Sequence, residues 1–183
     1  MFKLRRIIWT VVAVAVAALL VSVAFRISQS PDSAGQAAIS FTGLVENPLT
    51  FDLDKIKSMP SVTITAELIC VSGESFGTHD WTGVRLRDLL NETGVQETAF
   101  KVAFHATDGY ETDLKIEDAM RDDVIVAYLE DGVVMSEITK LVVPGQWGFK
   151  WISSIDSIRL VDYDFMGNWE GRGYPDDATI SAL

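Results

Sequence analysis

Val62-Thr63-Ile64-Thr65-Ala66-Glu67-Leu68-Ile69-Cys70 alternates apolar and polar side chains, and Val71-Ser72-Gly73 follows it as a turn. A period of two places Val62, Ile64, Ala66, Leu68 and Cys70 on one face and Thr63, Thr65 and Glu67 on the other. That pattern predicts a strand buried on one side. Cys70 is the only cysteine in the chain, so no internal disulfide can form. Two readings of the thiol stand at this point. Free cysteine commonly serves as a small core hydrophobe. A thiol at a strand end beside a glycine loop is also placed to act as a nucleophile or as a ligand for a soft or borderline metal.

Short elements are expected on both sides of this strand. Ser40 to Val45 reads as a strand, Asn47-Pro48 as a turn, and Leu53 to Met59 as a helix stopped before Pro60. Thr82 is expected to cap a helix carrying the stripe Leu86, Leu89 and Leu90, closed by Gly94, which leaves His79 in a loop. Ala99 to His105 reads as a strand with Phe100, Val102 and Phe104 inward, followed by a turn at Asp108-Gly109 and a helix at Ile116 to Met120. Val124 to Leu129 and Val133 to Met135 flank Asp131-Gly132, a hairpin signal. Lys140 to Val143 and Ser157 to Val161 supply further strands. Strands dominate and no regular strand–helix alternation runs through the chain. The expected class is α+β, a mixed β-sheet domain with short helices, rather than a doubly wound sheet.

Charge and hydropathy divide the chain. Ile7 to Phe25 is a run of nineteen uncharged residues preceded by Lys3, Arg5 and Arg6. As a helix it would reach about 28 Å, close to the thickness of a bilayer core. Its positive flank would hold the N-terminus in the cytoplasm and leave the domain on the extracytoplasmic side. An uncleaved anchor and a cleaved signal are both readable here, since Ser22-Val23-Ala24 resembles a cleavage site. Residues 1–27 are thus an anchor or signal segment, 28–38 a polar linker, and 39–183 one domain large enough to bury a core. Beyond residue 30 the chain carries eleven basic and twenty-six acidic residues, a net charge of −15. That balance excludes nucleic acid as a natural partner. No Cys-x-x-Cys, HExxH or strand-linked GxGxxG is present.

Several ordered motifs together carry a resemblance. Gly43-Leu44-Val45 and Asn47-Pro48-Leu49 open the series, followed by Glu67 to Gly73 and then Trp81-Thr82-Gly83-Val84 with Leu86-Arg87-Asp88-Leu89-Leu90. Val102-Ala103-Phe104, Asp108-Gly109-Tyr110, Lys140 to Pro144 and Trp147 to Ile152 continue it. Their combination resembles the molybdopterin-binding domain of the sulfite oxidase family, which includes the methionine-sulfoxide reductase catalytic subunit. The resemblance implies a short-form member whose Cys70 gives its thiolate to molybdenum. The cofactor would be molybdenum-molybdopterin, bordered by Lys140, Lys150, Trp151, Ser153 and His105, and the substrate a small sulfite- or sulfoxide-like molecule.

A membrane electron-transfer partner would complete such a reaction. Two positions depart from the family pattern. Lys140 stands where relatives carry arginine, and Ser153 where they carry lysine. Nothing in the linker matches the residues with which relatives grip the pterin phosphate. A fold kept as a ligand- or partner-binding module, without metal, is therefore the alternative. Gly167 to Tyr174 is expected either to fold over the pocket mouth, with Arg172 offering positive charge, or to form a surface loop.

Overall fold

The computed structural model describes residues 37–135 and 139–180. The apolar run Ile7 to Phe25 and most of the linker lie outside the described residues. Two five-stranded sheets form the domain. The first joins β1 (Ala38–Gly43), β2 (Leu49–Asp52), β5 (Lys101–Ala106), β6 (Glu111–Lys115) and β10 (Ile155–Val161) in the order β2-β1-β10-β5-β6. The second joins β3 (Ser61–Ile69), β4 (Ser75–Arg85), β7 (Ile125–Glu130) and β8 (Val133–Val134), with β9 (Lys140–Val142) paired to β7. Only β1 and β10 run parallel among the described pairs. Helices α1 (Leu53–Ser58), α2 (Leu86–Thr93) and α3 (Ile116–Ala119) are short. This is the mixed-sheet α+β architecture expected from the sequence.

Local chemistry explains most boundaries. Asp52 caps α1 by accepting from the Lys55 amide at 2.7 Å, and Met59 turns extended ahead of Pro60. Asp131 (φ 49°) and Gly132 (φ 77°) both adopt positive φ, which is what a tight hairpin between β7 and β8 requires. In β3 the alternation holds as read: Val62, Ile64 and Ala66 turn inward while Thr63, Thr65 and Glu67 stay exposed. Trp81 and Trp151 meet edge to face in the core at 5.7 Å between ring centroids.

Three expectations are corrected. Thr82 does not cap a helix, and His79 is not in a loop, because both lie in the eleven-residue β4. The Thr82 hydroxyl is within 2.8 Å of the Thr63 hydroxyl across the strand pair, and the backbone pairs with β3 and β7 on its two sides. Those ladder bonds outnumber what one cap would supply. The inward face of β4 reads Gly77, His79, Trp81 and Gly83, so glycines and a histidine hide its apolar period. Phe100 is 47% exposed and precedes β5, whereas Lys101, Val102, Ala103 and Phe104 are all buried. A central strand covered on both faces loses the alternation that an amphipathic strand would show. β2 and β6 are additional strands, the latter disguised by its polar sequence.

Close approach of β7 to β4 needs a residue without a side chain. A Cβ on Gly83 would stand 2.1 Å from the Val126 carbonyl oxygen and 2.5 Å from the Ala127 Cα. Backbone cannot swing away as a flexible side chain can. Gly83→Ala is expected to destabilise the domain by about 2 kcal/mol or more, the upper range for overpacking. Urea unfolding that finds the variant as stable as the wild type would contradict this packing.

Candidate functional site

Cys70 directly follows β3, and its turn is closed by two backbone bonds. Its own amide donates to the Glu74 carbonyl and the Gly73 amide donates to the Cys70 carbonyl, each at 2.8 Å. The thiol pKa lies below its ordinary value, first because the Ser72 hydroxyl hydrogen-bonds to sulfur and then because the Ser72 amide adds to it. Cys70 is half-buried, so this lowered thiol is reachable.

A cavity of about 360 Å³ opens beside it. One side comes from Leu68, Val71 and Phe76 of the β3–β4 hairpin. Asp108 and Tyr110, from the turn between β5 and β6, form another. A short 3-10 turn at Gly148–Lys150 and the residues after it supply Phe149, Trp151, Ile152 and Ser153. That turn packs tightly on the end of β3: a Cβ on Gly148 would meet the Leu68 side chain at 3.0 Å and the Ile69 carbonyl at 3.2 Å. The Tyr110 hydroxyl donates to the Phe149 carbonyl at 2.6 Å and joins two of the walls. Burial pushes the Tyr110 pKa well up, which keeps the phenol protonated as a donor. Trp169, from the C-terminal segment, completes the lining.

The structure brings together Cys70, Trp151 and Ser153 of the six expected site residues. Lys140 stands next to this group, since its backbone bridges to Ser153, and its ammonium lies 5.8 Å from the Trp81 ring. His105 points elsewhere, with Nδ1 2.9 Å from the Glu111 carboxylate and its ring against Phe165.

Lys150 requires a correction. Its side chain is fully buried, and its ammonium pairs with Glu170 at 2.6 Å and with Asp113 at 3.3 Å. Lys101, equally buried, pairs with Asp113, Asp164 and Asp176 at 2.6–2.9 Å. Lys150 therefore serves the buried carboxylates rather than an anion in the cavity. Sequence reading missed this cluster, because a lysine in a strand, like Lys101, or in a short turn, like Lys150, looks like an outward-facing residue. Burial pushes the Asp113 carboxyl up to about 6, against the pull of Lys150 and Lys101.

Phe76 was hidden by the loop reading of its segment, whereas Asp108, Tyr110, Gly148 and Phe149 fall within the quoted motifs. Arg172 sits with its guanidinium 5.7 Å from the Trp169 ring, lining an adjoining depression with Asp108 and Asn168. Gly73-Glu74-Ser75-Phe76-Gly77 fits the letters of a nucleophile-elbow motif, but it lies in a hairpin rather than a strand-to-helix turn. Its Ser75 hydroxyl donates to Glu67 at 2.5 Å. Nearby His79 faces oxygen acceptors on both ring nitrogens, Asp131 at 2.8 Å and the Phe76 carbonyl at 3.0 Å, which favours imidazolium over a free base.

The model of the oxidoreductase molybdopterin binding domain matches residues 28–169. The chain belongs to that family. It is 28% identical to the uncharacterized oxidoreductase YuiH of Bacillus subtilis, over 72% of this chain and 69% of that protein. It is also 28% identical to the protein-methionine-sulfoxide reductase catalytic subunit MsrP of Gluconobacter oxydans, over 76% of this chain but 51% of the relative. Identity to mitochondrial sulfite oxidase of Drosophila melanogaster is 28%, over 68% of this chain and 27% of that one. The chain thus spans about half or less of several longer relatives. The sulfane dehydrogenase SoxCD structure from Paracoccus pantotrophus superposes with a TM-score of 0.65 at 23% identity, over 69% of this chain and 38% of that one. The two share a fold.

Two outcomes follow from this geometry. Ser72→Ala removes the hydroxyl that lowers the Cys70 thiol. Alkylation of the metal-free protein near pH 7.5 should slow, with the pH midpoint of reactivity moving up; an unchanged midpoint would discount the hydrogen bond. Asp113 has a folded pKa above its unfolded value, so the folded state binds that proton more tightly. Its contribution to stability is fully present below about pH 4 and is lost as pH rises through about 6. Wild type should therefore lose stability relative to Asp113→Asn as pH rises across that window, as read by chemical denaturation.

Proposed function

We propose that this domain is a molybdopterin-dependent oxidoreductase that moves an oxygen atom onto or off a small oxo-compound, with Cys70 as the protein's ligand to molybdenum. The observation that carries this reading is a single thiol, lowered in pKa and reachable, on the wall of an aromatic cavity in a domain of this family. The donor set fits the group. One thiolate suits a soft or borderline metal. Among the described residues no three His, Cys, Asp or Glu cluster to hold a metal by themselves. A metal bound here has to arrive carrying other ligands, as the dithiolene sulfurs of the pterin would supply. When bound, the cofactor contributes the two-electron change that accompanies oxygen-atom transfer.

The chain's own residues do the rest. Trp151 and Ser153 border the cofactor beside Cys70, and Phe76, Phe149 and Trp169 exclude water. Lys140, bridged through its backbone to Ser153, is the lysine we assign to an anionic group such as the pterin phosphate. The substrate reading favours an uncharged, sulfoxide-like molecule over a sulfite-like anion. No Lys, Arg or His lines the cavity among the described residues, and Asp108 does. Like charges about 4 Å apart repel by roughly 4 kcal/mol at an effective dielectric of 20. The N-terminal apolar run supports membrane anchoring with the domain extracytoplasmic, where a membrane electron-transfer partner would meet it.

Expression of the full chain in a host that makes molybdopterin tests the reading. Molybdenum and pterin should approach one per chain, and Cys70→Ser should lose the metal while keeping the fold. Folded, metal-free wild type from such a host would overturn the enzyme and leave a binding module without metal.

A further inference from the structure

Trp169 differs from the other aromatic walls in how it is held. Phe149 and Trp151 belong to the packed core, at 7% and 4% exposure, so either is part of the fold as well as of the cavity. Phe76 is 58% exposed on the open side of its hairpin. Trp169 belongs to neither sheet, yet both of its sequence neighbours are fixed. The Asn168 amide donates to the Glu111 carbonyl at 2.9 Å, and its side-chain oxygen accepts from the Glu111 amide at 2.6 Å, adding a rung to the edge of β6.

Glu170, 1% exposed, accepts from the Thr112 hydroxyl at 2.9 Å and pairs with the buried Lys150 at 2.6 Å. The indole between these two anchors lies near-parallel to Phe149, at 6.3 Å between centroids and 27°, with Tyr174 edge-on at 4.9 Å. A wall fixed on both flanks cannot retreat from a large ligand without breaking a buried ion pair, and such breaks are costly.

We infer that Trp169 is the specificity-determining residue of the Cys70 cavity, its clamped indole setting the upper size of the uncharged oxo-compound admitted. Glu170 and Lys150 act through it as positioning residues. This rests on the reading of the cavity as a site for an uncharged substrate, but not on the presence of metal. Trp169 is half-buried and outside the core, so its truncation opens the cavity without emptying the core.

The test measures binding of dimethyl sulfone and methyl phenyl sulfone, uncharged shape mimics, to the full chain by NMR titration, with molybdenum content assayed in parallel. Trp169→Ala should shift the affinity ratio at least tenfold toward methyl phenyl sulfone. Trp169→Phe, which keeps a ring beside Phe149, should shift it less. A Lys150→Met, Glu170→Gln pair, which removes both buried charges together, should move the ratio in the direction of Trp169→Ala with the indole still present. A ratio within twofold of wild type in Trp169→Ala, or no binding of either sulfone to any of the proteins, overturns the inference. Molybdenum content keeps the two readings apart. Metal-free protein with the shift intact defeats the molybdenum assignment and upholds Trp169, whereas stoichiometric molybdenum with an unshifted ratio defeats Trp169 alone.

Discussion

Two ammonium groups without solvent exposure, those of Lys101 and Lys150, decide how this domain is closed. They sit between the β5–β6 edge and the C-terminal segment, facing Asp113 from the sheet and Asp164, Glu170 and Asp176 from the segment. Burial alone would drive a lysine toward neutrality. At Lys101 the bonds to Asp113, Asp164 and Asp176 more than offset that, and its pKa is raised. The carboxylates outnumber the lysines, and burial raises the pKa of one of them, Asp113, instead. Such a network is a poor source of net stability, because apolar residues could fill the space as well. What it supplies is one seating. Apolar contact is non-directional, whereas two cations with counted partners accept the segment in a single register.

That seating is coupled to the cavity through chain connectivity. Lys150 follows Phe149 and precedes Trp151, both of which line the cavity, and Glu170 follows Trp169, which lines it too. One buried ion pair thus ties two walls together one residue behind their exposed surfaces. The Tyr110 bond to the Phe149 carbonyl adds the β5–β6 turn to the same frame. From the second sheet the β3–β4 hairpin brings Cys70 and Phe76, and β9 holds the wall residues Ile152 and Ser153 through backbone bonds. The thiol therefore stands at the end of one sheet's hairpin strand, while Tyr110, Phe149 and Trp169 stand on or against the other sheet.

The legible part of this arrangement was the part governed by local rules. Alternation in Val62 to Glu67, the Asp131-Gly132 turn and the stop before Pro60 each depend on a few neighbouring residues, and each appears where those residues place it. That period fails after Glu67, where β3 bulges, and Cys70 falls just past the strand rather than within it. Strand β4 was not legible, because its inward positions include Gly77 and His79, and Gly83, where the neighbouring β7 backbone rather than a side chain fills the space. Lys101 and Lys150 were not legible for a deeper reason. The partners that make their burial tolerable lie up to 75 residues away, and no local pattern announces a carboxylate that far along the chain.

The allocation of positive charge follows from these placements. In a domain as acidic as this one, cations are scarce, and two of them are consumed inside the ionic network. Arg121 is directed at Asp123 and the Pro144 carbonyl, and Arg172 lies over Trp169 beside the adjoining depression. Among the described residues the cavity next to Cys70 is left with aromatic rings, the aliphatic Leu68, Val71 and Ile152, a serine and one carboxylate as its chemical surface. A lysine one position from a cavity wall looks, in sequence, like a group for binding anions. Here its charge is turned the other way, into the fold, and the same turn that seats the C-terminal segment leaves the cavity lining without a cationic side chain among the described residues.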